Sequence, residues 1–390
     1  MIPYGKHHID EDDIQAVVDV LRSGVLTQGP AIEAFEQAIA TYVGAKYAVA
    51  LSSGTAALHL AALIAGIEPG RTLITSPITF VASANASIFA GGQVAFADID
   101  AETLNMSPQA LESAIKANPA TRAIIPVHFA GLPCDMPAIK ALADKVGVTV
   151  IEDAAHALGA KYPDGRRIGC CRYSDMTIFS FHPVKAIAAG EGGMITTNDE
   201  AAYRRLLRLR SHGINKLDDP LQCPEEGDTN GVRNPWYYEM QEIGFHYRIT
   251  DMQCGLALSQ FRKLEKFMER RRLLVKRYDA AFSSMKHCRP GQTMGRDQSG
   301  HHLYVLRVDF DSIGQTRGDL MRALKARGIG SQVHYIPVPA QPFYRRMGHN
   351  PDLYPNARNY YREALSIPLF YELSDAQQDN VIEAIKELVG

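Results

Sequence analysis

The sequence predicts an α/β protein, in which a large, doubly wound and mostly parallel sheet is followed by a smaller α+β unit. Three observations carry this. From about residue 47 onward, short β-branched runs alternate with stretches of helical periodicity, the pattern of a parallel sheet covered by helices on both faces. Two strand-like runs, 176–181 and 193–197, lie too close together for a helical crossover, so one of them must run antiparallel. From about Met252 the pattern becomes one long helix rich in Arg and Lys, then short mixed elements. At 390 residues the chain exceeds one ordinary core, and the division is expected near residue 255, with a large domain at 1–255 and a small one at 256–390.

In chain order, Asp10 and Asp13 precede Ile14, Val17, Val18 and Leu21, with Gly24 beyond, which reads as a capped amphipathic helix. Ile32, Phe35 and Ile39 before Gly44 mark a second. Strands are then expected at 47–51, 72–75, 93–97, 123–129 and 148–151, separated by helices at 55–65, 81–90, 108–117 and 136–146.

Composition narrows the function. Apolar residues make up 46% and charged residues 22%, a soluble globular balance. With 41 basic and 43 acidic residues the formal charge is −2, so nothing calls for a nucleic-acid or membrane partner. The N-terminal "MIPYGKHHIDEDD" lacks the apolar centre of a signal peptide, and the longest apolar run, 56–67, is interrupted by His59 and too short for a bilayer, so a cytoplasmic enzyme is expected. The six cysteines form no CxxC pair and the thirteen histidines no ligand motif, so no metal is expected.

Ligands of open parallel sheets gather beyond the carboxyl ends of the strands, and three polar features fall there. In "SSGTAAL", Gly54, Thr55 and Ala56 open a helix whose N-terminus could take a phosphate, although Ser-Gly-Thr also serves as an ordinary N-cap. In "VTVIEDAAHALGA", Asp153 stands just past a strand and either caps the next helix or meets a fixed cation, with His156 three residues on, either on the same side of a first helical turn or as a hydrogen-bonded wall. In "FSFHPVKAIAAGEGG", Lys185 follows Ser180 and His182 with no acidic residue between Asp175 and Glu191. A lone lysine of this kind would be a solvated, snorkelling one. One ligand needs all three features together. Pyridoxal 5′-phosphate has an aldehyde for a lysine, a ring nitrogen for an acid, and a phosphate for a helix N-terminus and a hydroxyl.

The segments "SGVLTQGPAIEAFE", "SSGTAALHLA", "SPITFVASANA", "IEDAAHALGA", "FSFHPVKAIAAGEGG" and "GFHYRITDMQCGLALSQ" resemble the sugar-nucleotide aminotransferases among the fold type I (aspartate aminotransferase-like) pyridoxal phosphate enzymes, over nearly the whole chain. The resemblance implies that Lys185 is the Schiff-base lysine and Asp153 the partner of the pyridine nitrogen. It implies that Ser180 and the Gly54, Thr55, Ala56 turn hold the phosphate, that Phe80 stacks on one ring face, and that His156 lies near the other face or the ring oxygen. Tyr4, Gly24, Val25, Leu26 and Thr27, with Gln332, His334 and Tyr335, match segments that meet the sugar nucleotide. Two departures stand out. His246 in "GFHYR" replaces an Asn that reaches the partner subunit's phosphate in many relatives, and His156 replaces a common Gln. The implied reaction moves nitrogen from glutamate to a 4-keto sugar, UDP-linked by the resemblance of "HHLYVL" and "GSQVHYIPV", with dTDP- or GDP-linked sugars as the alternative, in a homodimer with sites at the interface. Lys185 argues against a sugar dehydratase of the same fold, which carries histidine there. The absence of a GxGxxG run argues against an NAD-dependent dehydrogenase.

Overall fold

The computed structural model describes residues 1–215 and 219–390. Two helices lead in: α1 (Glu11–Ser23), capped by a reciprocal Asp10 and Asp13 box and ended by Gly24 in the left-handed region, and α2 (Pro30–Val43), ended by Gly44. The sheet follows with strands β1 (Tyr47–Leu51), β2 (Thr72–Thr75), β3 (Gln93–Phe96), β4 (Thr121–Ile125), β5 (Thr149–Asp153), β6 (Met176–Ser180) and β7 (Gly193–Thr197), in the order β1-β7-β6-β5-β4-β2-β3. Only β7 runs against the rest, pairing antiparallel with both β1 and β6, with Met176 opposite Thr197 and Ser180 opposite Gly193. The short connection from β6 to β7 dictates this reversal. Helices α3 (Gly54–Ile64), α4 (Ala82–Phe89), α5 (Pro108–Ala117), α6 (Met136–Val146) and α7 (Glu200–Arg210) cover the two faces, so central residues such as Ile74, Val150, Ile151 and Ile178 are wholly buried.

Three expected elements differ. The strand expected at 123–129 ends at Ile125, because Pro126 has no N–H for the ladder and the chain turns at Ala130, whose φ is 55°. Strand β5 runs on to Asp153, which pairs with Ile178 of β6, so Asp153 is the last residue of a strand and not the first beyond it. The single long helix is two, Asp251–Arg262 and Leu264–Phe282, meeting at Lys263, whose ammonium is held by Asp10 and, at 2.8 Å, by Asp13. Residue 255 falls within the first of them.

The later part of the chain builds a three-stranded antiparallel sheet, Cys288–Pro290, Tyr304–Val308 and Ala364–Ile367, whose core is closed by the helices Leu264–Phe282 and Asp375–Val389. The N-terminal residues lie along it. Ile2 donates to the Gly328 carbonyl and accepts from the Gly330 N–H, both at 2.7 Å, and the Tyr4 carbonyl accepts from Leu369 at 3.0 Å. No helix among the described residues is long and apolar enough to cross a membrane.

One buried carboxylate ties the N-terminal helices to the rest. Asp251, 1% exposed, accepts from Gly29 (2.8 Å) and Ala31 (3.0 Å), capping α2 from a distant segment, and its own N–H donates to the Leu26 carbonyl at 3.0 Å. Asp251→Ala removes a cap and leaves two partly buried donors without their acceptor, so a loss of about 1–2 kcal/mol is expected, read as a lower denaturant midpoint at unchanged slope.

Candidate active site

The carboxyl ends of β1, β5 and β6 converge on a cavity of about 460 Å³. Strand β1 ends in a turn where Ser53, the N-cap of α3, accepts from the Ala56 N–H at 3.1 Å. The N–H groups of Gly54 and Thr55 lie in the first turn of α3 and have no acceptor among the described residues. A Cβ at Gly54 would meet Ser180 Cβ at 3.0 Å and its Oγ at 3.3 Å, so only glycine lets this helix end approach the β6 hydroxyl so closely. Two free amides, a hydroxyl and the positive end of a helix make an anion cradle.

Neighbouring residues of β5 face opposite ways, which separates two carboxylates. Glu152 points away from the cavity and is wholly buried, receiving His128 Nε2 at 2.8 Å, Tyr162 and Ser174. His128 Nδ1 accepts from the Cys134 N–H at 3.0 Å, so the ring proton sits on Nε2 and the imidazole donates to Glu152. Asp153 points into the cavity, 5% exposed; its Oδ2 accepts from Ser83 Oγ at 2.7 Å and its Oδ1 from the Ala155 N–H at 3.1 Å. No helix follows it. The chain continues in turns, so Asp153 is no helix cap and His156 stands in no first helical turn.

Lys185 lies in the β6–β7 connection, half-buried, its backbone N–H donating to the His182 carbonyl at 2.8 Å. It lines the same cavity as Asp153 and forms no ion pair among the described residues. Loss of hydration pushes its pKa from the usual 10.5 down to about 8, and the attraction of Asp153 only partly opposes that.

A histidine cluster forms the other wall. His156, 7% exposed, meets the Tyr335 hydroxyl through Nε2 at 3.2 Å, and its ring lies 4.3 Å from that of His302 at 36°. Burial first, then Lys185 and His334, hold His156 neutral. His334 bonds Ser366 Oγ through Nδ1 at 2.8 Å, and burial followed by Lys185 lowers its pKa to about 4. Burial raises the Tyr335 phenol well above its usual range.

Of the sequence candidates, Gly54, Thr55, Phe80, Asp153, His156, Ser180 and Lys185 line this cavity, as do Tyr4, Gln332, His334 and Tyr335. Ala56 does not line it, and its N–H is already taken by Ser53. His246 is exposed and stands outside it in this chain, edge-on to His212 at 5.4 Å. Gly24, Val25, Leu26 and Thr27 also lie outside, Val25 and Leu26 being 41% and 44% exposed. Sequence reasoning missed Ser53, Thr79, Ser83 and His302. Thr79 and Ser83 were within reach: hydroxyls four apart at a helix start share one face, and here they bond each other at 2.7 Å before Ser83 reaches Asp153.

The residues fit pyridoxal 5′-phosphate on the strength of their donor set: an anion cradle, a lysine with a lowered pKa, a carboxylate anchored by Ser83 and Ala155, and an aromatic ring, Phe80, 58% exposed at the mouth. Sheet order and site together define a pyridoxal phosphate enzyme of fold type I. Residues 7–386 match the DegT/DnrJ/EryC1/StrS aminotransferase family, and the chain belongs to it, a pyridoxal phosphate-dependent sugar aminotransferase. It is 42% identical over 394 residues to the spore coat polysaccharide biosynthesis protein SpsC of Bacillus subtilis (strain 168), covering 100% of this chain and 97% of that protein. Among solved structures it is similar to Helicobacter pylori PseC, an aminotransferase involved in the biosynthesis of pseudoaminic acid (TM-score 0.89, 28% identity, 100% and 99% of the two chains). It is also similar to Spr1654 from Streptococcus pneumoniae in its PLP form (TM-score 0.88, 30% identity, 100% and 98%). The family membership sets the dehydrogenase reading aside.

Proposed function

We propose that this enzyme transfers an amino group from glutamate to C4 of a UDP-linked 4-keto-6-deoxy-N-acetylhexosamine, as the UDP-4-amino-4,6-dideoxy-N-acetyl-β-L-altrosamine transaminase of pseudaminic acid biosynthesis does. The likeness to PseC over the full chain carries this reading. It is supported by "HHLYVL" and "GSQVHYIPV", since His302, Gln332, His334 and Tyr335 from those segments line the cavity. A second reading is favoured by the 42% identity to a spore coat polysaccharide protein: the same transfer on a dTDP- or GDP-linked keto sugar destined for a surface polysaccharide.

When bound, pyridoxal 5′-phosphate supplies an aldehyde that carries the nitrogen and a ring that accepts electrons from the reacting carbon. The Gly54 and Thr55 amides and the Ser180 hydroxyl would hold its phosphate, and Phe80 would cover one face of its ring. Asp153, fixed by Ser83 and Ala155, would keep a proton on the ring nitrogen. Lys185 would tether the cofactor, and as an amine of lowered pKa it is suited to carry a proton from the donor's α-carbon. His156, held neutral and tied to Tyr335 through Nε2, would stand beside the ring without adding charge. Tyr4, Gln332, His334 and Tyr335 line the sugar's side of the cavity.

The reading includes a homodimer in the cytoplasm. Ile14 and Leu21 on α1, 49% and 52% exposed, continue into Val25 and Leu26, an apolar strip that a second copy would cover. That arrangement would bring residues 24–27 to the neighbouring site and His246 to the partner's cofactor phosphate. His246→Ala is accordingly expected to weaken cofactor retention by about tenfold to a hundredfold without changing sugar choice, measured by titrating cofactor into the cofactor-free protein.

The test of the reaction is optical and then preparative. The purified protein should show a visible cofactor band that glutamate bleaches and a UDP-linked 4-keto-6-deoxy-N-acetylhexosamine restores. Faster restoration by a dTDP- or GDP-linked sugar would move the assignment to the second reading.

A further inference from the structure

His302 lies in the cavity wall, and no contact or chemical role has been assigned to its ring nitrogens. The residue is 7% exposed, and its side chain makes no hydrogen bond to any described residue. Its two nitrogens differ. Nδ1 is sealed from solvent and partnerless, whereas Nε2 is not among the sealed atoms and therefore opens on the cavity. A buried N–H without an acceptor is rarer and costlier than a buried acceptor without a donor, so the ring proton belongs on Nε2. The ring is held neutral: burial first, then His156, Lys185, Arg271 and His334 all disfavour a second proton. Its position is set from both sides. Its face lies against His156 at 4.3 Å, and the Arg271 guanidinium donates to the His301, His302 and Leu369 carbonyls at 3.2, 3.3 and 3.1 Å.

We propose that His302 contacts the bound ligand, presenting an Nε2–H donor to an oxygen acceptor of the cofactor or of the sugar. The two sources share one chemistry, a hydrogen-bond acceptor oxygen beside His156. The proposal rests on the aminotransferase reading, which glutamate bleaching of the unmodified enzyme tests by itself.

Two variants separate a donor from a filler. His302→Phe keeps a flat ring against His156 and removes the donor; His302→Gln keeps a donor and removes the ring. Cofactor affinity is read by titrating the cofactor-free protein and following fluorescence quenching, and the KM for sugar and for glutamate is read on the loaded enzyme. His302→Phe is expected to weaken one of these by about tenfold to a hundredfold, with His302→Gln recovering most of it. Loss in the cofactor titration assigns the acceptor to the cofactor; loss confined to the sugar KM assigns it to the sugar. Unchanged values in His302→Phe, or equal losses in both variants, overturn the proposal and leave His302 as packing.

Discussion

Lys185→Ala is expected to reduce transamination to background while the protein still folds, because the side chain forms no ion pair among the described residues and lies half-buried in a cleft. Turnover and glutamate bleaching of the purified variant decide it; a variant that still bleaches and turns over removes Lys185 from the chemistry. The lowered pKa adds a signature. The amine becomes neutral above about 8, so the glutamate half-reaction should quicken as pH rises through that value and then level off, in single-turnover measurements. Stability follows the same group with a defined sign. Between about 8 and the usual 10.5 the unfolded chain holds a proton that the folded one has lost, so the cofactor-free protein gains stability as pH rises across that window. Below about 8 the cost of the buried charge is fully present. Lys185→Ala should flatten this dependence.

Asp153→Ala is the second large effect. Without the carboxylate nothing in the cavity keeps the ring nitrogen charged, and a loss of about 10²- to 10³-fold or more in the glutamate half-reaction is expected, the scale of removing one preorganised electrostatic partner. Stability should change little, because Ser83 keeps Thr79 as a partner at 2.7 Å. The half-reaction rate from a rapid-mixing experiment is the measurement. A near-normal rate would reduce Asp153 to an anchor for Ser83 and the Ala155 turn.

The alternation of period made the parallel sheet legible, and the short gap between residues 181 and 193 made the reversed strand β7 legible. Lys185, Asp153, Ser180 and Gly54 could be read because each lies at or shortly beyond the carboxyl end of a strand and so reaches the same sheet edge. The end of β4 was misread because an apolar run continues past Pro126, and periodicity alone does not register a missing N–H. The break at Lys263 depends on Asp10 and Asp13, some 250 residues earlier in the chain, a tertiary contact no local pattern carries. His302 was not singled out because it lies just before the strand that begins at Tyr304, and His301 beside it takes a left-handed φ of 45°, so strand alternation does not apply and both rings are buried. Glu152 and Asp153, adjacent in sequence, differ in duty only through the pleat.

The anchoring of the N-terminal segment has a consequence for how the enzyme is made. Tyr4 lines the pocket, yet the backbone that anchors its segment, at Gly328, Gly330 and Leu369, lies far later in the chain. Vectorial synthesis therefore completes this pocket wall only after Leu369 has been made, and a nascent polypeptide stalled before residue 328 presents the Lys185 loop without it.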